Sequence, residues 1–209
     1  MTMKIDWLRG CATALVTPFT ADGAVDEERL RTLIEYQIAG GVKLIVPCGT
    51  TGESATMTDE EDQLVIKTTV GVAKGRARII AGTGSNATAV AIDYSRTARD
   101  LGVDAVLSVA PYYNKPTQEG LYAHFRAIAE AVSDLPVVIY NVPGRTSSNI
   151  SAQTTLRLAR DVENIVATKE ASGNLSQIME ILRARPDGFR VLSGDDSFAF
   201  ALIALAPKD

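Results

Sequence analysis

Lys169 closes a short apolar run, Ile165-Val-Ala-Thr-Lys-Glu-Ala-Ser172, and an amine in that position can attack a carbonyl carbon. Strand side chains alternate with period two, so Ile165, Ala167 and Lys169 share one face, while Val166 and Thr168 share the other. The residue alone leaves two readings open. One is a strand-end lysine whose stem is buried and whose ammonium reaches water; the other is a desolvated amine kept for covalent chemistry. A free lysine is neutral in only about 4 parts in 10,000 at pH 7. Lowering its pKa by roughly three units raises the nucleophilic fraction several hundred-fold, and destabilises the charged form by about 4 kcal/mol. Other reactive or polar side chains also follow apolar runs: Thr50 and Thr51, Tyr112 and Tyr113, Tyr140 and Arg145, Gly194 and Asp195.

Composition removes several competing chemistries. With 46% hydrophobic and 22% charged residues, the 209-residue chain has an ordinary soluble balance and ample material for a core. Its net charge of −4 and pI of about 5.1 argue against a nucleic-acid footprint. No signal-type apolar region opens the chain and no eighteen-residue apolar run appears, so a soluble, cytoplasmic protein is expected, with no membrane partner. Cys11 and Cys48 lie far apart, each within an apolar run, and are expected to be reduced core thiols. The single histidine, His124, has no histidine or cysteine near it in sequence, and no Gly-x-Ser-x-Gly turn accompanies it. A surface position is expected for it, on a helix whose apolar stripe is Leu121, Phe125, Ile128 and Val132. Metal-assisted and serine-type mechanisms therefore have little support, and no cofactor is implied.

The elements that must position these residues alternate along the whole chain. Cys11–Phe19 predicts a strand, and Asp26 is placed to cap a helix with Leu30, Leu33, Ile34 and Ile38 on one face and Gly40-Gly41 at its end. Leu44–Cys48 is a second strand, with the polar loop Gly49-Thr-Thr-Gly-Glu-Ser54 after it. Thr58 and Glu61 spell a capping box for a helix reaching about Lys74. Strands are expected from Arg78, over Ala105–Ala110, over Val137–Asn141, from Ile165 to Lys169 and over Arg190–Ser193. Helices are expected around Ala89–Ala98, around His124, over Ser151–Arg160 and over Leu175–Arg183, and a last apolar segment runs from Phe198 to Leu205.

Strand and helix alternating seven times at this spacing mean a parallel sheet, either open and doubly wound or closed as a barrel. An open sheet would carry its phosphate glycines in an early strand–helix turn. Gly10 is isolated, and Gly82-Thr-Gly84 lacks a third glycine and the acidic residue about twenty positions on. In a barrel the site is assembled from the C-terminal ends of many strands, which is where the candidate residues fall.

Gly49-Thr-Thr-Gly-Glu-Ser54, Pro111-Tyr-Tyr-Asn-Lys-Pro116, Tyr140-Asn-Val-Pro-x-Arg145, Lys169-Glu-Ala171 and Leu192-Ser-Gly-Asp-Asp196, in this order, closely resemble the 4-hydroxy-tetrahydrodipicolinate (dihydrodipicolinate) synthase family. That family lies within the class I pyruvate-dependent aldolases, which also include N-acetylneuraminate lyase. The resemblance implies an α/β fold, a (β/α)8 barrel, and condensation of pyruvate with L-aspartate 4-semialdehyde in lysine and diaminopimelate biosynthesis. It implies a Schiff base on Lys169, a proton relay through Tyr140, Thr50 and Tyr113, and pyruvate binding by Thr51 and Gly194. Arg145 would hold the semialdehyde carboxylate, since a guanidinium binds a carboxylate at two points. A homo-oligomer is implied as well, a dimer of dimers in the family, with Tyr112 packing across an interface and Tyr113 completing a neighbour's site. Another 2-oxo-acid aldolase of the superfamily, or a catalytically inactive subunit, are the alternatives.

About seven of the eight strand–helix units are counted before Ala206-Pro-Lys-Asp209, so residues 1–209 are expected to form a single barrel domain truncated before strand eight and the C-terminal helices. The open edges of such a barrel would favour aggregation and leave little synthase activity. Some family members are inhibited by lysine through an acidic residue after the Gly-Thr-Gly-x-Asn segment; Val90 stands there, so weak inhibition is expected.

Overall fold

The computed structural model describes residue 3 and residues 5–206. Seven strands alternate with helices: β1 (Ala12–Ala14), α1 (Glu27–Ala39), β2 (Leu44–Val46), α2 (Asp59–Ala73), β3 (Arg78–Gly82), α3 (Thr88–Asp100), β4 (Ala105–Val109), α4 (Gln118–Ala131), β5 (Val137–Asn141), α5 (Pro143–Thr146), α6 (Ala152–Asp161), β6 (Ile165–Glu170), α7 (Leu175–Ala184), β7 (Arg190–Ser193) and α8 (Asp196–Leu205). This is the element order of a (β/α)8 barrel, with seven of its strands among the described residues. The expected terminus at Pro207-Lys208-Asp209 lies outside the described residues.

The chain packs as two compact units, one built from Asp6–Thr83 and Asp93–Leu107, the other from Gly84–Ile92 and Ser108 onward. In the first unit, β1, β2, β3 and the start of β4 pair in that order, all parallel, with Ala12 opposite Leu44 and Ile80 opposite Ala105. Here α1 packs on α2. Asp26 caps α1 by accepting the Arg29 N–H at 2.9 Å. The capping box of α2 is formed, with the Thr58 hydroxyl accepting the Glu61 N–H at 3.3 Å and the Glu61 carboxylate accepting the Thr58 N–H at 2.8 Å. Both caps satisfy backbone donors that have no partner inside the helix.

In the second unit β5, β6 and β7 pair in parallel, with a register shift between Val137 and Val138. Val137–Ile139, Ile165–Ala167 and their neighbours are buried on both faces, which is why these strands read as nearly unbroken apolar runs. Helices α4, α6 and α7 pack side by side. Asn164 fastens β6 to the end of α4: its side-chain amide donates to the carbonyls of Ala129, Val132 and Leu135 at 2.9–3.1 Å.

Several expectations need correction. The first strand is only Ala12–Ala14, and Phe19 makes an isolated antiparallel bridge with Val25. Cys11 is exposed rather than in the core, and it lies just before β1 begins at Ala12; Cys48 is buried, and burial pushes its thiol well above the ordinary range. His124 is not a surface residue. It is 5% exposed, between Leu121 one turn before and Ile128 one turn after on the buried face of α4. Residues 143–146, where no helix is expected from the sequence, form the short helix α5 with Pro143 in its first turn, where the missing N–H costs nothing. The Gly49–Ser54 loop contains 3-10 turns at Thr50–Gly52 and Ser54–Thr56. Among the described residues, no helix is long and apolar enough to cross a membrane.

Candidate active site

Register puts the reactive pair together. In the parallel ladder of β5 and β6, Tyr140 lies opposite Lys169 and Asn141 lies opposite Glu170. Lys169 Nζ stands 4.4 Å from the centroid of the Tyr140 ring, and Tyr140 is buried. Burial lowers the lysine pKa from its ordinary value, because desolvation penalises the ammonium; the Asp196 carboxylate acts in the opposite direction. Lys169 is thus half-buried, with its amine against an aromatic face.

Gly194 follows β7 and packs on the lysine stem. A Cβ at this position would stand 2.8 Å from Lys169 Cε, 3.1 Å from its Cγ and 3.0 Å from the Ala171 Cβ. The Gly194 N–H donates to the Glu170 carbonyl at 2.8 Å, so the close approach is fixed by backbone. Only glycine leaves room for the lysine to lie in this place.

Arg145 is exposed on α5, and its N–H donates to the Val142 carbonyl at 2.9 Å. The neighbouring Thr146 hydroxyl binds the carbonyls of Val142 and Ser148 at 3.2 and 2.9 Å, which fixes the turn that presents the guanidinium. Tyr113 is 90% exposed and has φ of 74°, a left-handed conformation that costs a tyrosine energy. The loop is held by the Asn114 side-chain amide, which donates to the Asn86 carbonyl at 3.1 Å. The single chain thus presents Tyr113 to solvent rather than packing it in its own core.

Thr50 and Thr51 belong to the other unit, at the C-terminal end of β2, and both are exposed. Their turn is built by local contacts. The Thr17 hydroxyl donates to the Gly52 carbonyl at 2.7 Å, and Ser54 Oγ donates to the Asp62 carboxylate at 2.9 Å. Burial raises the Asp62 pKa, against the hydrogen bond from Ser54.

Sequence reasoning assigned no role to Asn141 or Glu170, although both stand beside site residues in the quoted motifs. Glu170 is 1% exposed and Asn141 is fully buried, and their side chains meet at the strand ends. The available signal was a carboxylate and an amide immediately after the two reactive residues of adjacent strands. Among the described residues, no cluster of three or more His, Cys, Asp or Glu side chains could hold a metal ion.

The model of the Dihydrodipicolinate synthetase family matches residues 7–206. The chain belongs to that family. A 4-hydroxy-tetrahydrodipicolinate synthase of Chloroherpeton thalassium is 55% identical over 198 residues, 95% of this chain and 65% of that relative, so the chain spans a little under two thirds of the relative's length. The dihydrodipicolinate synthase of Aquifex aeolicus superposes with a TM-score of 0.93 at 48% identity, covering 96% of this chain and 68% of that one. The dihydrodipicolinate synthase of Acinetobacter baumannii, solved in complex with pyruvate, superposes with a TM-score of 0.91 at 48% identity, covering 95% of this chain and 67% of that one. These similarities to members of the family extend over nearly the whole chain.

Proposed function

We propose that this protein acts as a 4-hydroxy-tetrahydrodipicolinate synthase, a class I aldolase-type lyase that condenses pyruvate with L-aspartate 4-semialdehyde. The observation that carries the reading is the half-buried Lys169 amine, 4.4 Å from the Tyr140 ring centroid across adjacent parallel strands. The neutral amine attacks the pyruvate ketone carbon, and the carbinolamine loses water to give an imine. Loss of a C3 proton gives an enamine, whose C3 forms a bond to the aldehyde carbon of the semialdehyde. The amino group of the condensed product then attacks the imine carbon and displaces Lys169, closing the ring and regenerating the amine. One water leaves overall.

In this mechanism Tyr140 moves protons at the carbinolamine and the enamine. Thr50 and Tyr113 complete the relay, Tyr113 serving a neighbouring subunit, which suits its exposure on a strained loop. Thr51 and the backbone around Gly194 bind the pyruvate carboxylate, and Arg145 pairs with the carboxylate of the semialdehyde. The reading places the protein in the cytoplasm as a homo-oligomer making a lysine and diaminopimelate precursor. It is supported by family membership and by the pyruvate complex of a relative.

A coupled assay tests it, comparing aspartate 4-semialdehyde with a panel of other aldehydes at saturating pyruvate. The semialdehyde should be the preferred acceptor by a wide margin. Preference for an aldehyde without a carboxylate would overturn the assignment.

A further inference from the structure

We propose that Glu170 is a positioning residue: with Asn141 it clamps the ends of β5 and β6 so that Lys169 faces Tyr140, and it anchors the loop that carries Arg145. The inference rests on the pyruvate reading of Lys169 given above.

Lys169 and Glu170 are successive strand residues and project to opposite faces, as do Tyr140 and Asn141. Behind the Tyr140–Lys169 step of the register therefore lies the Asn141–Glu170 step. The Asn141 side-chain amide donates to the two carboxylate oxygens of Glu170 at 3.1 and 3.3 Å. The Ser172 N–H donates to Oε1 at 2.8 Å, and the Gln177 side-chain amide donates to Oε2 at 3.3 Å. Every one of these neighbours is a donor, so the position takes a side chain with two acceptors at the reach of glutamate. Burying a carboxylate is costly unless it is hydrogen-bonded, and the strand end is built to supply those bonds.

The clamp also reaches the substrate-facing loop. Asn141 Oδ1 accepts the Ile150 N–H at 2.9 Å, and Asn141 Nδ2 lies 2.9 Å from Asn149 Oδ1. The segment 142–149, which contains α5 and Arg145, thus leaves Asn141 at one end and is tied to the same side chain at the other. Asn149 and Gln177 exchange amide hydrogen bonds at 2.9 and 3.3 Å, which joins α7 to the same cluster. The carboxylate that acts on the Lys169 amine is Asp196, and Glu170 is not among the causes of the lysine's shift. Glu170 works through geometry: it holds the last residues of β6 in the ladder and keeps water from the strand end.

Borohydride trapping of pyruvate on Lys169, followed as a rate against pyruvate concentration and pH, tests this. Glu170→Gln sets a new donor against donors. It should slow the maximal trapping rate by about tenfold or more, since small misplacements of reacting groups are expensive, with a much smaller change in half-saturating pyruvate. The acid limb of the pH profile should move to higher pH as water reaches the amine. Should Glu170→Gln not fold, Glu170→Asp is read in its place, with the same slowing and the same shift expected. A folded Glu170 variant that traps pyruvate at the unsubstituted rate and pH profile overturns the clamp. An unsubstituted protein that is not labelled at all removes the pyruvate reading and the clamp with it, whereas labelling without variant effects removes the clamp alone.

Discussion

Gly194 shows how tightly a single position can bind the chemistry to the backbone. With Lys169 Cε only 2.8 Å from where a Cβ would stand, Gly194→Ala must displace either the lysine stem or the end of β7. The lysine is the softer of the two, because the Gly194 N–H is fixed on the Glu170 carbonyl. Gly194→Ala is expected to retain its far-UV spectrum while slowing pyruvate capture by an order of magnitude or more, on the scale of what about an ångström of misplacement costs. Unchanged capture kinetics would mean that the amine tolerates the methyl group. At this scale the sequence alone left two readings of Lys169 open, and roles for Tyr140 and Arg145 followed only from the family resemblance of the motifs that hold them. It was silent on Glu170, since nothing in a sequence says that an amide one strand away will face a carboxylate.

Among the elements, α4 is where reading by residue type misled. Leu121, Phe125, Ile128 and Val132 define the buried stripe, and His124 lies within its width, one turn from both Leu121 and Ile128; spacing pointed inward while polarity pointed outward. The ring is buried, with Nδ1 2.9 Å from the Thr88 hydroxyl of α3, and burial lowers its pKa to about 4. Because the folded-state value lies below the unfolded value of 6.5, the stabilising contribution is fully present above about pH 6.5 and is lost as pH falls toward about 4. Between pH 7.5 and pH 5 the protein should lose about 2 kcal/mol from this group. Urea titrations of the unsubstituted protein and of His124→Phe at both pH values check it, and an equal pH dependence in the two would contradict it.

Helix α5 makes a second test at this scale. Its four residues escaped prediction because Val-Pro-Gly reads as a turn, yet Pro143 begins a helical turn that fixes Arg145. Arg145→Ala should leave pyruvate capture within a few-fold and weaken use of the semialdehyde by at least an order of magnitude, as loss of a charge-paired contact does. Steady-state constants for both substrates separate the two effects, and an equal loss in both would contradict the role given to the guanidinium.

For the whole molecule, strand–helix order was legible because buried parallel strands and amphipathic helices differ in period. Strand length at the edge was not. Parallel pairing, which a sequence does not display, decides whether a residue such as Cys11 enters the ladder. Among the described residues β1 pairs with β2 alone and β7 with β6 alone, and α8 exposes Phe200, Ile203 and Leu205. Open strand edges and exposed apolar side chains promote association. The 209-residue polypeptide by itself should therefore self-associate at micromolar concentration, and Phe200→Glu with Ile203→Lys should reduce this. Sedimentation velocity checks the expectation, and a monodisperse monomer across that concentration range would contradict it.

The central claim is that Lys169 is the amine that captures pyruvate. Incubating the folded protein with pyruvate and borohydride, then mapping the adduct by peptide mass spectrometry, measures this directly. One reduced pyruvate on the peptide that contains Lys169, absent from Lys169→Ala and from a control without pyruvate, is the predicted result. Labelling on a different lysine, or none in the folded protein, would contradict the account.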